Sequence, residues 1–112
     1  MPIENWSDDV LLVELADDPQ FTDELNALLE TVEGRDNLDV VLNFQNVTFL
    51  NSSNIAKLLK LRKFQVVNHK RKLKLCAINT HVWGVFLVTG LDKIFDVYDD
   101  IASGLASLKL DE

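Results

Sequence analysis

The chain predicts one α/β domain, a single sheet layer of four to five strands with about four helices. Three observations predict it. Short apolar runs with strand spacing alternate with stretches of helical spacing. Capping and stop residues punctuate the changes between them. Hydrophobic residues are 47% of the 112 and charged residues 26%, enough apolar surface for one core without metal or disulfide. No repeat, low-complexity tract or linker divides the chain, so one domain is expected over 1–112.

Val10 to Leu15 (VLLVEL) reads as the first main strand, with residues 2–6 as an edge strand beside it. Asp17, Asp18 and Pro19 break that pattern. From Phe21 to Glu33 the apolar residues Leu25, Leu28, Leu29 and Val32 fall on one helical face. Thr22 is a candidate cap for that helix, and Gly34 is its stop. Leu38 to Phe44 alternates, with Leu38, Val40, Leu42 and Phe44 making one strongly apolar face.

Asn51-Ser52-Ser53-Asn54 is a run of cap formers, so a second helix should start there and run to about Val67. Its expected core face is Ile55, Leu58, Leu59 and Val66. Lys57, Lys60, Leu61 and Phe64 are expected to point outward as a partner surface or to pack under a neighbouring loop. Asn68 suits a left-handed helix end. Leu73 to Ile78 is the next strand and Thr80 to Val88 a short helix stopped by Gly90. Ile94 to Val97 is a last short strand. Asp99 or Asp100 caps a final helix carrying Ile101, Ala102, Leu105 and Leu108. Alternation of this kind predicts a largely parallel sheet.

Charge narrows the function classes. A net charge of -7 disfavours generic nucleic-acid binding. All 18 acidic residues lie outside the stretch from Val40 to Leu91. That stretch holds Lys57, Lys60, Arg62, Lys63, Lys70, Arg71, Lys72 and Lys74. The ends pair with this middle across the fold, or the charges are solvated, or they form a basic patch for an acidic partner or phosphate. The single cysteine, Cys76, permits no internal disulfide. No leader-like segment and no apolar run of membrane length occurs, so a cytoplasmic location away from membranes is expected.

Catalytic and cofactor signals are sparse. Cys76 sits mid-strand and reads as a small buried hydrophobe. His69 falls in a charged turn and His81 at a helix start, both as solvated residues. No His-x-x-x-His, Cys-x-x-Cys or Gly-rich phosphate loop is present, so no metal, cofactor or enzymatic activity is expected.

The informative joint is Phe49-Leu50-Asn51-Ser52-Ser53-Asn54-Ile55, where a strand hands over to a helix. A helix start offers unpaired amide hydrogens and partial positive charge, which hold a hydroxyl or a phosphate. By itself a serine there is an ordinary cap. The stretch Val40 to Phe44 with Val47 to Ser53, the strand Leu73 to Ile78, and Thr89-Gly90-Leu91-Asp92-Lys93-Ile94-Phe95 within Val82 to Tyr98 together resemble a known family. That family is the STAS domain of bacterial anti-sigma factor antagonists (anti-anti-sigma factors), and the resemblance covers about 10–108.

The resemblance implies a STAS-like mixed sheet and a role in partner switching. In that family the serine after the motif's aspartate is phosphorylated by a partner kinase, often the anti-sigma factor, and a phosphatase reverses it. By motif position that serine is Ser52, with Ser53 the lesser candidate. Asn51, Ser52, Ser53, Asn54, Lys57, Lys60, Leu61 and Phe64 form the expected partner surface. The implied partners are an anti-sigma factor or serine-kinase-type regulator and a PP2C-type phosphatase, with self-association left open. Asn51 stands where the family has Asp, and Asn54 where it has Gly. The acidic pair Asp17 and Asp18 matches the family's early loop loosely, and no site is carried onto it. The alternative is an unphosphorylated STAS scaffold, or a subunit of another signalling or transport complex, in which Ser52 is only a cap.

Overall fold

The computed structural model describes residues 3–110. Met1, Pro2, Asp111 and Glu112 of the expected domain lie outside the described residues, as does the first position of the expected edge strand. The order is β1 (Ile3–Ser7), β2 (Val10–Ala16), α1 (Gln20–Glu33), β3 (Asp39–Asn46), α2 (Ser52–Arg62), β4 (Leu73–Cys76), α3 (Thr80–Thr89), β5 (Asp96–Tyr98) and α4 (Ile101–Leu110). The expected α/β layer of five strands and four helices is what forms. The strands lie in the order β1-β2-β3-β4-β5. β1 is antiparallel to β2, and the remaining pairs are parallel.

The two-residue period of the strands sorts their side chains between two cores. Leu11, Val13, Leu15, Val40, Leu42, Phe44, Leu73 and Leu75 face α1, α2 and α3. Val10, Leu12, Val41 and Cys76 face α4 through Ile101, Leu105 and Leu108. β3 was expected to carry one apolar face, yet Val41 and Asn43 on its other side are also buried. The central parallel strand is covered on both faces, which alternation alone does not reveal. α4 comes close enough to β4 that a Cβ added to Gly104 would overlap the Cys76 sulfur.

Some boundaries shift for identifiable reasons. β4 stops at Cys76, not Ile78, because Ala77 takes a left-handed conformation (φ 61°). β5 begins at Asp96, since a 3-10 turn over Leu91–Lys93 and the exposed Ile94 precede it. Gly90 does end α3 in the left-handed region (φ 79°). Asn68 does not play that part. α2 widens into a π turn over Lys63–Asn68, and the left-handed residue is Lys70 (φ 56°). Thr22 does not cap α1. Its amide and hydroxyl both donate to Asp18 Oδ1, at 2.9 and 2.7 Å. Asp100 caps α4, accepting from Ser103 N at 2.7 Å.

The inward face of α2 is rotated from the one expected. Its buried residues are Asn54, Leu58 and Leu61, and Gln65 continues them in the π turn. Leu59 is exposed instead. Two amides stand in the buried stripe because they have fixed polar partners. Gln65 Nε2 donates to Lys72 O at 2.9 Å and also to Leu38 O. Asn54 is tied into the helix start. A hydrophobicity pattern skips such residues, so the expected core face includes Leu59 in place of Leu61, whereas Ile55 and Val66 do pack half-buried against the core.

Candidate functional site

The joint between β3 and α2 is held from three sides. From α3, Asn79 Nδ2 donates to Val47 O at 2.6 Å, while Asn79 Oδ1 accepts from Val82 N. From the turn after β2, Asp17 accepts Thr48 N at 2.7 Å and the Thr48 hydroxyl as well. Within the joint, Asn51 and Asn54 form a reciprocal cap. Asn54 N donates to Asn51 Oδ1 at 2.8 Å, and Asn51 N to Asn54 Oδ1 at 3.2 Å. This satisfies amides that a helix start otherwise leaves open.

Asp18 completes the arrangement. Its Oδ2 accepts the side-chain amides of Asn51 at 3.2 Å and Asn54 at 2.9 Å. Its Oδ1 takes the two Thr22 donors at the start of α1. One carboxylate therefore links the first turns of two helices. The Thr22 hydroxyl, then the Asn54 amide, hold the Asp18 carboxyl down at about 2. The Thr48 hydroxyl lowers Asp17 too. Both groups are charged at neutral pH. Asp17 and Asp18, to which no site was carried, are thus part of this joint. They lie 31 and 33 residues before their partners Thr48 and Asn51, and strand pairing brings them there, with Ala16 beside Asn46.

The two residues that depart from the motif of the resemblance share one partner. Asn51 and Asn54 both donate to Asp18, which an aspartate or a glycine at those positions cannot do. Ser52 is not the cap. It is the first residue of α2, exposed, and its hydroxyl engages no partner among the described residues. Ser53 is exposed likewise.

The other expected surface residues divide. Lys60 is exposed. Lys57 is half-buried, with Nζ donating to Asn26 Oδ1 at 3.0 Å. Phe64 is half-buried against the main core. Leu61 and Asn54, at 0% and 1% exposure, are removed from the surface set. Leu59 and Phe49, at 40% and 46%, take their place. The outward stripe of α2 is Ser52, Ser53, Ala56, Leu59, Lys60 and Lys63, with Phe49 before it. A large apolar residue just ahead of a cap was the available signal for Phe49.

The potential reactive groups lie apart from the joint. Cys76 is buried, and burial followed by the nearby Asp100 charge pushes its thiol up to about 11, so it stays protonated and inert. His81 is exposed as expected. His69 is not fully solvated, since its Nδ1 is shielded and without a partner. No group of three or more His, Cys, Asp or Glu that could hold a metal occurs among the described residues. No helix among them is long and apolar enough to cross a membrane.

This mixed five-stranded sheet with four helices defines a class of protein, and comparison with known proteins identifies it. Residues 15–104 match the STAS domain, and the chain belongs to that family. A curated relative, the anti-sigma F factor antagonist of Paenibacillus polymyxa, is 27% identical over 82 residues, covering 72% of this chain and 68% of the relative. A Ser-to-Glu variant of RsbS from Moorella thermoacetica has a similar structure. Its TM-score is 0.80 at 19% identity, over 96% of this chain and 93% of that one. The anti-sigma factor antagonist SpoIIAA in its unphosphorylated form gives a TM-score of 0.73 at 14% identity, over 90% of each chain.

Proposed function

We propose that this chain is an anti-sigma factor antagonist acting in the cytoplasm by binding rather than catalysis. Its partner surface is the β3–α2 joint with the outward stripe of α2, and Ser52 is its switch. The observation that carries this reading is the displaced cap. Asn51 satisfies the start of α2, which leaves the Ser52 hydroxyl exposed beside Phe49 and in line with Leu59 and Lys60. A serine needed as the cap would not be free for modification.

A phosphate on Ser52 adds about −1.5 to −2 charges at neutral pH. The α2 dipole offsets about 0.3–1 kcal/mol of that at an exposed site. The fold therefore tolerates it, and the new charge acts on the partner. The partner is an anti-sigma factor with serine-kinase activity, and a PP2C-type phosphatase restores the hydroxyl. Similarity to an anti-sigma F factor antagonist supports the partner class.

The test incubates the protein with a serine-kinase anti-sigma factor and ATP, and maps the product by mass spectrometry. Phosphate at Ser52 is expected, with none on Ser52→Ala. Ser52→Asp is expected to lose partner binding at unchanged Tm. An unmodified Ser52, with full partner binding by Ser52→Asp, overturns the switch and favours the unphosphorylated scaffold. Leu59→Asp separates surface from switch: retained binding would move the interface off α2.

A further inference from the structure

The basic segment that the switch does not use has its own place in the fold. Ser52 lies after the C-terminal end of β3. Arg62, Lys70, Arg71 and Lys72 gather past the other end of α2, beside the starts of β4 and β5. They line an open groove of about 290 Å³ together with Val66, Leu73, Ile94, Phe95 and Asp96.

The groove is preorganised. Arg62 Nε donates to Ile94 O at 3.0 Å. Arg71 Nε lies 3.1 Å from Asp39 Oδ1, an ion pair without the alignment of a hydrogen bond. Arg62 is thus held through Nε by a hydrogen bond and Arg71 by its ion pair alone, and the terminal nitrogens of both make no hydrogen bond among the described residues. The loop between them is fixed from below. Buried Gln65 donates to Lys72 O, Arg71 N donates to Gln65 O at 2.9 Å, and Lys72 N donates to Asp39 Oδ1 at 3.0 Å. Of the two nearby carboxylates, Asp39 is held by Arg71 and Asp96 by Lys74. Lys70 and Lys72 have no ion pair among the described residues, so the groove keeps an excess of positive charge.

We infer that this groove binds a small phosphate-bearing anion. The terminal nitrogens of the two guanidiniums suit paired oxygens, and lysines add point charge. A single carboxylate neutralises one of four cations, whereas a phosphate group carries close to two charges. Val66, Ile94 and Phe95 supply an apolar floor for the rest of the molecule. The size is near the lower end for small-molecule sites.

The test titrates the 15N-labelled protein with inorganic pyrophosphate and with ADP, using acetate at matched ionic strength as control. Saturable amide shifts confined to 69–73 and 94–96 are expected for both phosphate probes. Lys70→Asn/Lys72→Gln is expected to weaken them by about tenfold, since two of four cations are lost, at unchanged Tm. Asn suits the left-handed backbone at 70. Ser52→Ala is expected to bind as wild type, so failure here is separate from failure of the switch. Equal shifts with acetate, wild-type affinity in the double variant, or tighter binding of an oligoglutamate peptide at these amides overturns the proposal. If the double variant unfolds, Arg62→Gln provides the same comparison.

Discussion

Asp18 is the residue on which the joint turns. Its carboxylate receives donors from Thr22, Asn51 and Asn54. Asn51→Asp, which restores the family's residue, removes one donor and sets two carboxylates face to face. It should destabilise the fold, and Asp18→Asn should relieve part of that loss. A double-mutant cycle by urea denaturation is expected to show a coupling between the two positions, with the double variant more stable than the sum of the single losses predicts. The sign with pH follows from the lowered Asp18 carboxyl. A depressed folded-state pKa contributes stability that is present above the unfolded value of 3.8 and is lost as pH falls toward about 2. Wild type should therefore lose Tm through this window more steeply than Asp18→Asn. A parallel fall in both proteins would assign the acid response elsewhere. A helix start at Asn51-Ser52-Ser53-Asn54 was legible from four cap formers, and the structure picks Asn51 among them as the cap. The Asp18 link to Asn51 and Asn54 was not, because those donors lie 33 and 36 positions away along the chain.

Among the elements, α2 shows how polar residues mislead a helical pattern. Leu58 was read correctly as core. Leu61 and Leu59 exchanged places because Asn54 and Gln65 occupy the inward stripe. Gln65→Leu keeps the volume but strips a donor from Lys72 O and Leu38 O. Lys72 O keeps Val40 N as a donor at 3.0 Å, but Leu38 O loses its donor, which costs about 1–3 kcal/mol and is to be seen as a lowered urea midpoint. α4 is the other informative element. Its middle residue is glycine because the helix backbone rests on Cys76 and Val41. Gly104→Ala raises helix propensity yet overpacks this contact, with an expected loss of about 1–3 kcal/mol. Gly104→Ala/Cys76→Ala should recover most of it. A stabilised Gly104→Ala single variant would show that α4 is free to shift.

Across the whole molecule, the sheet separates two ends with different chemistry. One end presents Ser52, Phe49 and the exposed start of α2, held by the Asp17–Asp18 turn. The other presents the groove of Arg62, Lys70, Arg71 and Lys72. The charge asymmetry seen along the chain becomes partly local pairing, through Arg71–Asp39 and Lys74–Asp96. Lys74 is 1% exposed, beneath α4, with its Nζ also 5.4 Å from the Tyr98 ring centroid. Lys74→Ala leaves a void and removes the partner of Asp96, so a drop in Tm is expected that added salt does not reproduce in wild type. Salt that lowers wild-type Tm to the same value would mean that the pair is screened and peripheral.

The strand and helix order, a cap within 51–54 and another at Asp99 or Asp100, the stop at Gly90 and the burial of Cys76 were all legible along the chain. These depend on short-range periodicity and on residues that satisfy nearby backbone groups. Three features required the tertiary structure: the second covered face of β3, the inward turn of Leu61, and the convergence of Asp17 and Asp18 on the β3–α2 joint. Each depends on which strands lie side by side and which helix crosses them. A polar side chain buried by such a contact is satisfied at a distance, so its neighbours in sequence carry no trace of the partner.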